Sequence, residues 1–231
     1  MNKYIAIIMG LGFAVCAAQA EEKLDLSQSK QRISYSIGSN IGSSFKQQEL
    51  DLDAKALAAG ISDAMAGKST LTEAEIRETL KQFQTELQSK MELKQKELGE
   101  KNLKAGDVFL AENGKKEGVK STSTGLQYKV IKTGSGKSPK ATDTVKVHYH
   151  GTLIDGTVFD SSVDRGEPVT FPLNEVIPGW TEALQLMKEG DKWKLFIPSK
   201  LAYGPRGASE KIGPNSTLVF DVELISIEKA N

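Results

Sequence analysis

The chain has 231 residues, of which 39% are apolar, with 30 basic and 30 acidic side chains and one cysteine. That length holds one or two domains with ordinary cores. The charges also cancel locally, 17 of each sign in residues 1–120 and 13 of each in 121–231, which argues against a basic face for nucleic acid and against a polybasic membrane anchor.

Residues 1–20 read as a secretory signal peptide: Lys3, the apolar run YIAIIMGLGFAVCAA, then Ala18-Gln19-Ala20 ahead of Glu21 and Glu22. The apolar run falls short of the roughly 20 residues a bilayer span requires. Cleavage is expected after Ala20, the alternative being an uncleaved anchor. Cys16 would leave with the leader, so the exported chain has no disulfide, thiol nucleophile or thiolate metal site.

Residues 21–68 are expected to form a helical region. Ile33, Ile37, Ile41 and Phe45 recur every four residues, with Gly38 and Gly42 beside the stripe; Leu57, Ile61, Ala64 and Met65 follow a polar start at Asp51 and Asp53 and stop at Gly67. Two short helices bury too little apolar surface to stand alone. A second copy of the same pair is the simplest partner, and the glycines would let backbones approach.

A long helix is expected over residues 69–114. Thr72 and Glu75 make a capping box, and Ile76, Leu80, Phe83, Leu87 and Met91 make its stripe. Farther on, Glu86/Lys90, Glu92/Lys96, Glu97/Lys101 and Glu100/Lys104 are i,i+4 pairs in the favourable order. Running to Asn113 it would be about 60 Å long at 1.5 Å per residue. Gly99 and Gly106 are its expected weak points, and two helices broken at one of them is the alternative.

A linker over residues 112–125, ENGKKEGVKSTSTG, gives way to a period of two. Leu126, Tyr128 and Val130 alternate with polar residues, as do Val145, Val147 and Tyr149, then Val169, Phe171 and Leu173, then WKLFIP, and finally Leu218, Phe220, Val222 and Leu224. One short helix, PGWTEALQLM, interrupts them, with Pro178 near its start and Trp180, Leu184 and Met187 on one side. The class expected is α+β: a C-terminal antiparallel sheet wrapped around a short helix over residues 115–231, preceded by an all-α dimerisation region and the connecting helix.

Alternation also sorts the candidates for chemistry. His148 and His150 share the polar face of their strand with Lys146, while Tyr149 shares the buried face with Val145 and Val147. Lacking a cysteine or a third histidine, and flanked by a lysine, the pair reads as a solvated strand face rather than a metal site. TGSGKSP has only part of a phosphate loop: Ile131 stands where the first glycine belongs, and Pro139 discourages a following helix. No Gly-x-Ser-x-Gly elbow occurs. What remains is a group of apolar and aromatic residues at loop edges, Phe159 beside Asp160, Val176 and Ile177 ahead of Trp180, and Tyr203. Singly each reads as core; together they suggest an apolar pocket floored by Trp180.

GLQYKVIKTGSG, VHYHGTLIDGTVFDSS, EVIPGWTEALQLM, LAYGPRG and IGPNSTLVFDVEL, in that order, resemble the FKBP family of peptidyl-prolyl cis/trans isomerases over residues 125–228. The N-terminal part, including RISYSIGSNIGSSF, resembles the bacterial macrophage infectivity potentiator (Mip) group. The resemblance implies an isomerase of X-Pro bonds that assists folding of exported proteins, without cofactor or metal. It further implies a V-shaped homodimer joined by the N-terminal helices, a periplasmic, outer-membrane or cell-surface location, proline-containing peptides and unfolded proteins as partners, and a pocket open to macrolide inhibitors. Trp180 would be the floor, Tyr149, Phe159 and Phe220 the walls, with Arg165, Val176 and Ile212 also in the pocket. The Ile177 N–H and Tyr203 hydroxyl would hold ligand carbonyls. Asp160 is expected to act electrostatically rather than as a base. Val169 stands where many eukaryotic members carry an aromatic, and the loop around Ala208 lacks a histidine present in some. A dimeric periplasmic chaperone with isomerisation secondary is the competing reading.

Overall fold

The structure is a computed structural model that describes residues 24–228; the expected leader, its cleavage point and Cys16 lie outside them. The chain divides into two compact units, meeting in sequence at Ile76 and Arg77.

The first unit holds α1 (Ser29–Gln47) and α2 (Ala54–Ala66). Helix α2 starts where the Asp53 carboxylate accepts hydrogen bonds from the amides of Lys55 and Ala56. It ends at Gly67 in the left-handed conformation, φ 66°. Neither helix buries a residue. Ile33, Ile37, Ile41, Leu57, Ile61 and Met65 are all exposed, and an apolar groove of about 480 Å³ runs past Gly38, Gly42, Phe45, Leu57 and Ile61.

Helix α3 spans Glu73–Asn113 without a break. At its start the Thr72 amide donates to Glu75 Oε2 at 2.8 Å and the Glu75 amide donates to Thr72 Oγ1 at 3.2 Å, the expected reciprocal cap. The two glycines expected to weaken it have another role. Gly99 and Gly106 are buried: a Cβ on Gly99 would come 3.2 Å from Asn215 Nδ2, and one on Gly106 would overlap Thr217 Oγ1. Their missing side chains let the helix touch the loop that leads into the last strand.

In the second unit a seven-stranded antiparallel sheet runs β1 (Val119–Ser121), β2 (Gln127–Lys132), β6 (Lys192–Ile197), β7 (Leu218–Glu228), β3 (Thr144–Leu153), β4 (Val158–Ser161), with β5 (Val169–Pro172) also on β3. Strand β3 is the spine: its first half pairs with β5, its second with β4, and its whole length with β7. Helix α5 (Pro178–Leu186) lies across one face. Trp180, Ala183, Leu184 and the following Met187 join Val145, Val147, Leu195, Ile197, Val222 and Leu224 in one core. The inward residues are those the period of two selects, because successive side chains of a strand face opposite ways. A single-turn α4 (Ser162–Arg165) follows β4, and two 3-10 turns, Ser199–Leu201 and Gly204–Arg206, follow β6. Among the described residues no helix is long and apolar enough to cross a membrane.

Candidate active site

A cleft of about 460 Å³ opens between α5, the inner face of β3 and β7, and the loop that follows β6. Tyr149, Phe159, Asp160, Phe171, Val176, Ile177, Trp180, Tyr203, Ile212 and Phe220 line it together with Glu175, Ala208 and Ser209. The site residues expected from the sequence converge here, with one exception. Arg165 is not on the lining and reaches it through Asp160 and Tyr149.

The floor is the Trp180 indole, 4% exposed. It sits three residues into α5's entry because Pro178 starts the helix and Ile177 remains extended, ψ 146°. Tyr149 and Phe220 meet the indole edge-on, each with its ring centre 5.2 Å away, and Phe171 does so at 5.9 Å. These are the favoured aromatic geometries. Phe159 stands edge-on to Phe220 at 5.3 Å. Both rings occupy the space over Gly151, where a Cβ would collide with each of them.

One wall is polar. The Tyr149 hydroxyl donates to Asp160 Oδ2 and accepts from Arg165 Nη2 at 2.9 Å, while Arg165 Nη1 pairs with Asp160 Oδ1. Burial pushes the Asp160 carboxyl up, but the bonds from Tyr149 and Arg165 outweigh it and leave it below the usual carboxylate range. The guanidinium is held still more firmly in its charged form. Tyr149 is raised by burial and by its bond to Asp160. With both oxygens engaged and its proton affinity lowered, Asp160 is a poor base and a fixed negative charge.

Two of the lining residues carry donors without a protein acceptor among the described residues. The Tyr203 hydroxyl makes no hydrogen bond among the described residues, and burial, then the charge of Asp160, raises it above an ordinary phenol, so it stays protonated. The Ile177 amide likewise has no acceptor among the described residues, while its carbonyl accepts from Trp180 and Thr181.

The histidines lie on the opposite face of β3. Their Nδ1 atoms sit 3.0 Å from Ser162 Oγ (His148) and from Ser161 Oγ (His150). Among the described residues no group of three or more His, Cys, Asp or Glu could hold a metal ion. The amides of the TGSGKSP loop bind acids of the chain: Gly134 donates to Asp191 Oδ1, Gly136 to the Glu189 carbonyl and Lys137 to Glu189 Oε2.

Known proteins share this arrangement. Residues 135–225 match the family described as FKBP-type peptidyl-prolyl cis-trans isomerase, and residues 30–130 match the domain amino-terminal to such isomerases. The outer membrane protein MIP of Legionella longbeachae is 46% identical over 231 residues, covering 100% of this chain and 99% of that protein. The chain belongs to the FKBP-type peptidyl-prolyl cis-trans isomerases. An FKBP-type isomerase of Aeromonas hydrophila, FkpA, is 50% identical over 216 residues, 92% of this chain and 80% of that one. The crystal structure of FkpA from Escherichia coli superposes with a TM-score of 0.73 at 45% identity, over 88% of this chain and 99% of that one.

In this FKBP-type isomerase four lining residues escaped the sequence reading. Phe171 follows Val169 by two on β5 and so shares its face; the alternation contained that signal. Glu175, Ala208 and Ser209 lie in loops, where no period marks an inward residue.

Proposed function

We propose that this enzyme isomerises X-Pro bonds in the Trp180 cleft by drying and orienting the amide, with no proton transferred and no bond broken. The observation that carries this reading is the pair of free donors, the Tyr203 hydroxyl and the Ile177 amide, at the edge of an aromatic cavity whose wall carboxylate, Asp160, is engaged through both oxygens. Rotation about X-Pro is slow because twisting sacrifices amide resonance, against a barrier of roughly 18–20 kcal/mol. The twisted amide has a less polarised carbonyl than the planar one. A water-poor cleft therefore disfavours the planar form more than the twisted one. The prolyl ring lies on the Trp180 indole between Tyr149, Phe159 and Phe220, and the two donors hold the flanking carbonyls so that rotation is confined to one bond. Arg165 and Asp160 act by fixing Tyr149. The cleft's size and apolar walls also suit macrolide inhibitors.

Replacing Tyr203 by Phe tests the donor: kcat/KM for a proline peptide falls by about three- to tenfold, the worth of one hydrogen bond, and a parental rate would remove the hydroxyl from the reaction.

The enzyme acts, in this reading, as an exported homodimer on proline-containing and unfolded proteins, the leader at residues 1–20 directing it to the periplasm or outer membrane. The exposed apolar stripes of α1 and α2 and their groove support pairing between copies. The mass of the processed protein in solution, with and without residues 21–68, checks it: a dimer becoming a monomer is expected, and a monomer in both cases refutes it. The same surfaces support holding unfolded chains as a second activity, measurable as suppressed aggregation of a proline-free protein.

A further inference from the structure

We propose that Asn215 is a positioning residue for the isomerase reaction, tying the Tyr203 hydroxyl to helix α3. The loop from Tyr203 to Thr217 supplies Tyr203, Ala208, Ser209 and Ile212 to the cleft. Its two ends meet at one bond: the Asn215 amide donates to the carbonyl of Gly204, the residue after Tyr203, at 2.8 Å. Asn215 holds a left-handed conformation there, φ 55°, one that Asn tolerates better than most residues. Its side chain then points away from the cleft, and Nδ2 donates to the Gly99 carbonyl on α3 at 3.3 Å. From the helix, Asn102 Nδ2 returns a bond of 2.8 Å to the carbonyl of Pro214. The two asparagines thus clasp the neck of the loop against the helix, at a place where the bare backbone of Gly99 brings the partners within reach.

The route from helix to site is short and consists of named bonds: Gly99 carbonyl, Asn215 side chain, Asn215 amide, Gly204 carbonyl, Tyr203. The Tyr203 hydroxyl has no acceptor among the described residues to hold it, so the direction of its O–H rests on the backbone beneath it. A helix segment at residues 99–102 that keeps its place keeps the donor aimed; one that shifts moves it. This inference rests on Tyr203 being the carbonyl donor.

The experiment is a double-mutant cycle in the full chain. Asn215→Gly keeps the left-handed backbone without strain and removes only the tie to Gly99; Asn102→Ala removes the second tie without touching the loop. Each is measured for kcat and KM on a proline peptide, alone and combined with Tyr203→Phe, with circular dichroism melting as the fold control. The expected result is a fall in kcat of about three- to tenfold with KM little changed, and no further fall when either change is added to Tyr203→Phe. Parental rates, or losses that multiply with that of Tyr203→Phe, overturn the clasp and leave the donor reading intact, since an additive loss means a general effect on the fold. A parental rate for Tyr203→Phe alone instead overturns the donor reading. Should Asn215→Gly fail to fold, the Asn102→Ala arm of the cycle decides.

Discussion

Replacing Trp180 by Leu separates the floor of the cleft from the fold that carries it. Trp180 makes three edge-on ring contacts, with Tyr149, Phe171 and Phe220, each worth about 0.5–1.5 kcal/mol beyond simple burial. Its indole N–H is buried with no hydrogen-bond partner among the described residues, so an apolar replacement leaves no acceptor stranded. Leu refills part of the volume, and the expected loss of stability is about 2–4 kcal/mol. A domain with a margin of roughly 5–15 kcal/mol survives that. The reaction loses more in relative terms. A ring-sized apolar group gains roughly 1.5–3 kcal/mol on full burial; taking about two-thirds of that as the contribution of the floor, the loss is about 1–2 kcal/mol, a fall of about five- to thirtyfold in kcat/KM. A protease-coupled assay of cis-to-trans conversion, run well below the melting temperature followed by circular dichroism, reads both quantities. A folded variant turning over within twofold of the parent would refute the view that the indole face does the drying.

Asp160→Ala should slow isomerisation about tenfold while changing stability by less than about 1 kcal/mol, because the side chains of the Asp160–Arg165 pair are 44% and 46% exposed; a parental rate would remove Asp160 from the site. The pH profile of kcat/KM should be flat between about pH 5 and 9. Asp160 is depressed in the fold, so what it contributes is complete above the unfolded value of about 3.9 and is lost only as pH falls through the lower folded value. Tyr149 and Tyr203 are raised, so their protonated forms persist past neutrality and are lost only on the alkaline side. A step inside that range would refute a reaction without proton transfer. Gly106→Ala, which in an exposed helix would gain about 1 kcal/mol, should here cost about 1–3 kcal/mol, because the new Cβ overlaps Thr217, itself 5% exposed; a raised melting temperature would show that α3 does not press on that loop.

Along β3 and at the start of α3 the sequence is enough to say which way side chains face. The inward set Val145, Val147 and Tyr149 with His148 and His150 outward follows from a period of two, and the Thr72–Glu75 cap from a spacing of three, because local geometry alone decides both. The short helix announced itself by Pro178, and with it the place of Trp180. Contacts between residues far apart in the chain left no such mark. Gly99 and Gly106 read as flaws in a helix because the loop they admit begins about a hundred residues later, and Asn215 is an ordinary loop asparagine until Gly99 is brought beside it. Resemblance puts Arg165 in the pocket, yet it stands behind Asp160 and Tyr149, since one helical turn, α4, swings it outside the wall.

Gly151 shows what trimming experiments overlook. The rings of Phe159 and Phe220 converge over a position that carries no side chain at all, so the depth of the cavity is set by an omission. A systematic scan by alanine, designed to subtract atoms, would add one here, and the variant would report crowding where the reader looks for loss. Tuning how large a guest this enzyme admits therefore begins at a residue outside the lining of the cleft.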